Sequence, residues 1–214
     1  MRLPFTRADF LDVFAAYNST LWPAVVALWI ATVVVLVLLP REHQASRPLS
    51  ALLAVHWAWS AIAYHLAFFA RINPGARLFA GLFLLQAVLF TWFGVVRTRL
   101  TFSWGRSPRH VIATSLYLYA LAYPVLSLLL GHDWPRAPTF GVPCPTTILT
   151  IGLLLAVEPP LSRWLAVIPV TWALIGGSAA FVLGVRTDLM LLPAGAGLAL
   201  YAIEPRLLAR PGAA

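Results

Sequence analysis

The chain has 214 residues, 61% hydrophobic and only 10% charged, with a mean hydropathy of +0.84. A soluble domain carries roughly 25% charged residues, so the composition excludes an ordinary soluble fold and points to an integral membrane protein. The formal charge of +8 comes entirely from arginine, no basic cluster stands outside the apolar framework, and nucleic acid is set aside as a partner.

One cysteine excludes an intrachain disulfide and a multi-cysteine zinc site. Residues 6–17 read as a short amphipathic helix lying in the interface or docked on a bundle. Thr6 is its cap and Asp9 its first-turn acid, with Phe5, Phe10, Val13, Phe14 and Tyr17 toward one side. A first span follows over 21–39, opened by Trp22-Pro23. It is too long for the apolar part of a signal peptide, and the polar Arg41-Glu42-His43 comes after it rather than a cleavage site.

The second span, 51–70, carries His56, Trp57, Trp59, Tyr64 and His65, and Asn73-Pro74-Gly75 turns the chain. The third, 78–96, has Gln86 near its middle. A loop from Arg97 to Arg109 holds four arginines. The fourth span, 111–130, is expected to kink at Pro124. A loop from Gly131 to Pro145 leads to a short fifth segment, 146–157. The sixth span covers 164–183 and the seventh 189–203. The expected fold is therefore all-α and polytopic, with about seven transmembrane helices after a short interfacial helix. The expected divisions are an amphipathic segment at 1–20, one transmembrane domain at 21–206 and a tail at 207–214.

Seven spans place the termini on opposite sides. Nine arginines fall on the C-terminal side and six on the other, which favours a cytoplasmic C-terminus in the inner membrane and an outward loop at 131–145.

The fifth segment is the odd one. Twelve residues rise about 18 Å against a hydrocarbon core of about 30 Å. Either the surroundings compensate, or the loop re-enters the membrane, where irregular backbone is tolerated only inside protein or beside water. Pro145 suits the first helical position, which would make Cys144 the cap, facing free N–H groups that favour its thiolate. Thr146 and Thr147 add hydroxyls. Cys144, Thr146, Thr147, His65, His132 and Asn73 are the candidate solute-binding residues, with Gln86 lining the path. Cys144, His65 and His132 are also the candidate metal ligands, by residue type. His56 lies nine residues from His65, about 180° around a helix, and is expected to bond another helix. Glu158 and Glu204 are expected to pair with Arg163 and Arg206. Without lysine no retinal Schiff base can form, and no cofactor is required.

His56-Trp57-x-Trp59, Tyr64-His65, Ile72-Asn73-Pro74 and Gly131-His132 followed by Pro135 and Pro138-Thr139-Phe140-Gly141-x-Pro143-Cys144-Pro145-Thr146-Thr147 carry a resemblance over nearly the whole chain. They resemble an uncharacterised group of small bacterial polytopic membrane proteins, a domain of unknown function whose members are sometimes labelled permeases. The resemblance implies no catalytic residues. The expected function is a small-solute or ion permease or channel-like protein rather than an enzyme, in a lipid bilayer, alone or as a homo-oligomer. A thiol- or metal-dependent sensor or redox protein is the alternative, with a structural subunit of a membrane complex as a third.

Overall fold

The computed structural model describes residues 4–38 and 46–205, so the polar loop around Arg41, the partner expected for Glu204 and the C-terminal tail lie outside it. Among the described residues seven α-helices follow one another: α1 (Arg7–Leu38), α2 (Ser46–Trp59), α3 (Ala76–Phe90), α4 (Pro108–Leu129), α5 (Pro143–Leu155), α6 (Arg163–Leu183) and α7 (Leu191–Ile203). Two of them widen at their ends, α2 into a π-helical stretch over Ser60–Leu66 and α3 into one over Thr91–Val96. Five of these elements are long and apolar enough to cross a membrane. Their exposed faces are apolar too: Val26, Ile30 and Val34 on α1, and Val167, Leu174 and Phe181 on α6.

The expected separate N-terminal helix does not exist. The amphipathic stretch and the first span form one helix of 32 residues, about 48 Å long, running straight through Pro23. Proline at 23 leaves the Ser19 carbonyl without its helical donor. Ser19 is on an exposed face, so that carbonyl is not buried by the bundle. The start of the helix matches expectation. The Thr6 amide donates to Asp9 Oδ2 at 2.8 Å and the Asp9 amide to Thr6 Oγ1 at 3.2 Å, a reciprocal capping box. Thr6→Ala should cost about 1 kcal/mol, read as faster amide exchange confined to the first turns of α1.

At the centre stands α5. From Pro145 to Leu155 every residue is buried, among α2, α4, α6 and α7. Where helices pack this closely, van der Waals fit decides the contact, and small residues let backbones approach. A Cβ on Gly152 would lie 2.9 Å from the Ala113 carbonyl oxygen and 2.9 Å from the Tyr117 amide of α4. Gly195 of α7 meets Ala173 of α6 in the same way.

Polar groups within the bundle tie helices together where proline or the fold leaves carbonyls free. Pro169 cannot donate to the Leu165 carbonyl, and Gln86 Nε2 of α3 does so instead, at 3.1 Å. Gln86 is thus a fastener between α3 and α6. His56 behaves as expected for interhelical bonding: Thr32 Oγ1 donates to the Leu28 carbonyl and so accepts from His56 Nε2 at 2.8 Å.

The loops gather at two ends. At one, the loop 97–107 pairs with the end of α5 through a Phe102–Val157 bridge and a Glu158 N–H bond to the Thr101 carbonyl at 2.8 Å. Arg109 closes this end by donating to the Val157 carbonyl at 2.6 Å and to the Tyr201 hydroxyl at 2.7 Å. The expected pairing of Glu158 with Arg163 does not form. Among the described residues the single ion pair is Arg136 with Asp12, at 2.7 Å, and it belongs to the opposite end.

Candidate functional site

The loop 131–142 is not a surface excursion. Ala137 to Val142 are buried, and α1 and α2 hold them by hydrogen bonds. Asn18 Nδ2 donates to the carbonyls of Pro135 at 2.6 Å and Ala137 at 2.8 Å, while its Oδ1 accepts from Thr139 Oγ1 at 2.7 Å. Tyr17 donates to the Phe140 carbonyl at 3.3 Å and accepts from Trp59 Nε1 at 2.7 Å. Ser60 donates to the Gly141 carbonyl at 2.7 Å. Gly141 has φ of +79°, and a Cβ there would sit 2.9 Å from both Trp59 Nε1 and the Tyr17 hydroxyl. Only glycine meets both the left-handed backbone and the lack of space. Irregular backbone is buried here because its carbonyls are answered by side chains.

This strapped loop delivers the start of α5. Val142 is the cap, Pro143 takes the first helical position, and Cys144 is the second residue of the helix, not its cap. The thiol has the Asp188 carboxyl group beside it, with no cation among the groups acting on it. The expected thiolate activation by a bare helix end therefore loses its basis.

Cys144 opens onto a cavity of about 160 Å³ near the loop end of the bundle. Its wall is largely aromatic, from Phe10 and Phe14 of α1 through Tyr64 and Phe69 to Phe79 of α3 and Trp172 of α6. Its polar groups come from several separate elements, α2, the turn at Asn73, α4, α5, α6 and the turn after α6. His65 projects from the π-helical end of α2 and is wholly buried, with neither ring nitrogen hydrogen-bonded among the described residues. The widened turn lets the adjacent Tyr64 and His65 both face inward. Trp172 Nε1 has no oxygen or nitrogen partner among the described residues and has the Cys144 thiol beside it. Gly176 brings the last two groups together: its missing Cβ would lie 3.3 Å from Trp172 Nε1 and 3.4 Å from Cys144 Sγ.

Asp188 completes the lining from the 3₁₀ turn Arg186–Met190, and it is the one buried carboxyl group among the described residues. The Tyr123 hydroxyl donates to Asp188 Oδ1, and Thr187 Oγ1 donates to the same tyrosine at 3.0 Å. Burial pushes the Asp188 carboxyl up to about 6, against the opposing pull of its bonds to Tyr123 and Cys144.

Of the expected site residues, the structure brings Cys144, His65 and Asn73 to this one cavity. The others lie elsewhere. Thr147 donates to its own Pro143 carbonyl at 2.9 Å, and Thr146 meets Ser60 at 3.1 Å, so both serve packing around the loop. Gln86 is committed to Leu165. His132 is buried outside the lining, where burial first, and then the charges of Arg7 and Arg186, hold its imidazole below the usual histidine range. No group of three His, Cys, Asp or Glu among the described residues is placed to hold a metal ion, so Cys144, His65 and His132 do not converge as ligands. The sequence singles out none of Asp188, Tyr123 and Trp172 as site residues. An aspartate between apolar spans, at Val185-x-x-Asp188-Leu189, is the available signal for the first.

The described helices thus form an apolar bundle that holds a partly enclosed cavity lined by aromatic rings and edged by buried ionisable groups. The chain belongs to the DUF6064 family, a family of unknown function whose model matches residues 7–210. No match is found among curated proteins or among solved structures.

Proposed function

We propose that the protein is a multi-pass membrane protein that binds a small solute in the cavity at Cys144, His65, Trp172 and Asp188, as the binding site of a permease. The carrying observation is that His65 presents both ring nitrogens to the cavity with no protein partner among the described residues, while Trp172 Nε1 has only the Cys144 thiol beside it. Buried polar groups in folded proteins are nearly always paired, and three of the eight unpaired side-chain atoms among the described residues gather at this cavity, so a ligand or ordered water is their natural partner. Ionisable side chains in an apolar bundle mark binding or transport sites by default. The apolar exposed faces suit a bilayer, and the arginine balance suits a cytoplasmic C-terminus in the inner membrane with the cavity opening outward.

The sensor or redox alternative has less support, because the thiol lies beside a carboxyl group and no three ligands gather for a metal among the described residues.

The test uses purified protein and a panel of anions, neutral molecules and cations of up to about ten non-hydrogen atoms, a size suited to a cavity of this class. A ligand of the folded state raises the unfolding midpoint. Ala179 of α6 lines the cavity, and Ala179→Trp should fill it. The expected result is a midpoint rise with some panel members that Ala179→Trp removes, and uptake of the same solutes into vesicles. Midpoint rises that survive Ala179→Trp would place binding elsewhere. Binding without uptake would remove the permease reading and leave a receptor.

A further inference from the structure

We propose that the cavity takes a small organic monocation, an ammonium bearing one apolar group of about ring size, with Asp188 as its counter-ion. This rests on the solute-site reading above and adds to it the sign of the ligand's charge and its size.

Charge is the first argument. Asp188 is the sole acid lining the cavity, and no arginine lines it among the described residues. The partners of its carboxylate are a tyrosine hydroxyl and a thiol, both uncharged. A buried charge left without a counter-ion is costly, and a bound cation answers that cost. Arg7 and Arg186 stand near His132, beyond the lining, where solvent screens them.

Wall chemistry is the second. Phe10, Phe14, Tyr64, Phe69, Phe79 and Trp172 surround the space with aromatic rings. An ammonium gains from the negative faces of such rings, most of all when desolvated, and boxes of this composition hold alkylated ammonium groups. An anion would meet the same faces and the Asp188 carboxylate together.

Donor and acceptor balance is the third. A neutral imidazole offers one acceptor and one donor. The His65 acceptor and Asp188 can each take an ammonium N–H, leaving the Trp172 and His65 N–H groups for a co-bound water or a ligand hydroxyl. Size follows from the volume: about 160 Å³ compares with an engineered cavity of about 150 Å³ that accepts benzene.

Three probes of one shape test the proposal: benzylammonium, benzyl alcohol and benzoate, titrated into the purified full-length protein with Trp fluorescence and unfolding midpoint as readouts. Benzylammonium should bind at least about tenfold tighter than benzyl alcohol, and benzoate should show no saturable binding. Asp188→Asn should bring benzylammonium down to the affinity of benzyl alcohol. Benzyl alcohol binding unchanged in that variant would show the cavity intact. Benzyl alcohol or benzoate binding the wild type as tightly as benzylammonium would overturn the cation proposal and leave the solute site standing. A charge preference that persists undiminished in an intact Asp188→Asn protein would overturn it as well. Binding of none of the three would overturn the proposal, and a wider panel without a response sensitive to Ala179→Trp would remove the solute site too.

Discussion

Gly152→Leu is expected to prevent α4 and α5 from docking, with loss of monodisperse protein on purification. The reason is local and severe. The new Cβ alone would stand 2.9 Å from the Ala113 carbonyl oxygen, 2.9 Å from the Tyr117 amide nitrogen and 3.1 Å from Leu116 Cβ. Overpacking a core costs about 1–3 kcal/mol when side chains can shift. Here two of the three contacts are backbone of a neighbouring helix, so relief requires moving α4 as a body. Even Gly152→Ala should lower the unfolding midpoint by several degrees. Gly81 supplies the control, since a Cβ there meets nothing within 4 Å. Gly81→Ala should be neutral or stabilising by up to about 1 kcal/mol, through helix propensity alone. Equal damage from both substitutions would show that generic glycine loss, not the α4–α5 approach, sets the effect.

Asn18→Leu is expected to release the loop 131–142 and with it the solute site. One side chain satisfies two backbone carbonyls and one hydroxyl, each buried or partly so. An unpaired buried group costs about 1–3 kcal/mol, so the three together are on the order of 3–9 kcal/mol, comparable to a large part of a domain's stability. Asn18→Asp keeps the shape and the bond from Thr139 but faces a carboxylate toward two carbonyl oxygens, and should be nearly as damaging. Because the loop carries the chain into Val142, Pro143 and Cys144, both variants should lose ligand response before global unfolding. Hydrogen exchange of the amides from Ala137 to Thr146 checks this: acceleration confined to that segment is expected, whereas unchanged exchange there would count against the strap.

These two residues mark where the sequence stops being readable. Gly152 sits in an apolar run and looks like any tolerated helical glycine; its role depends on α4 backbone some forty residues earlier. Asn18 reads as a polar residue near the start of a span, and its partners lie 117 to 121 positions away. By contrast, the Thr6–Asp9 capping box is readable because both partners fall within one turn. The opposed directions of His56 and His65 are readable because periodicity is local, although the π-helical turn that aims His65 is not. The cap of α5 lies two residues earlier than the sequence suggests, because Pro143-Cys144-Pro145 offers two prolines for the first helical position. The burial of Val142 and Pro143 against the bundle selects the earlier one.

The sequence by itself determined the all-helical fold, the order of the apolar segments, the shortness of α5 and the unusual character of the loop before it. Those properties follow from hydropathy, proline and glycine, which act over a turn or a span. Tertiary structure decided that α1 is unbroken, that Gln86 and the threonines serve packing, that His132 stays apart, and that Asp188 and Trp172 join Cys144 and His65. Each of these depends on which helix faces which, and that is set by steric fit between surfaces far apart in the chain.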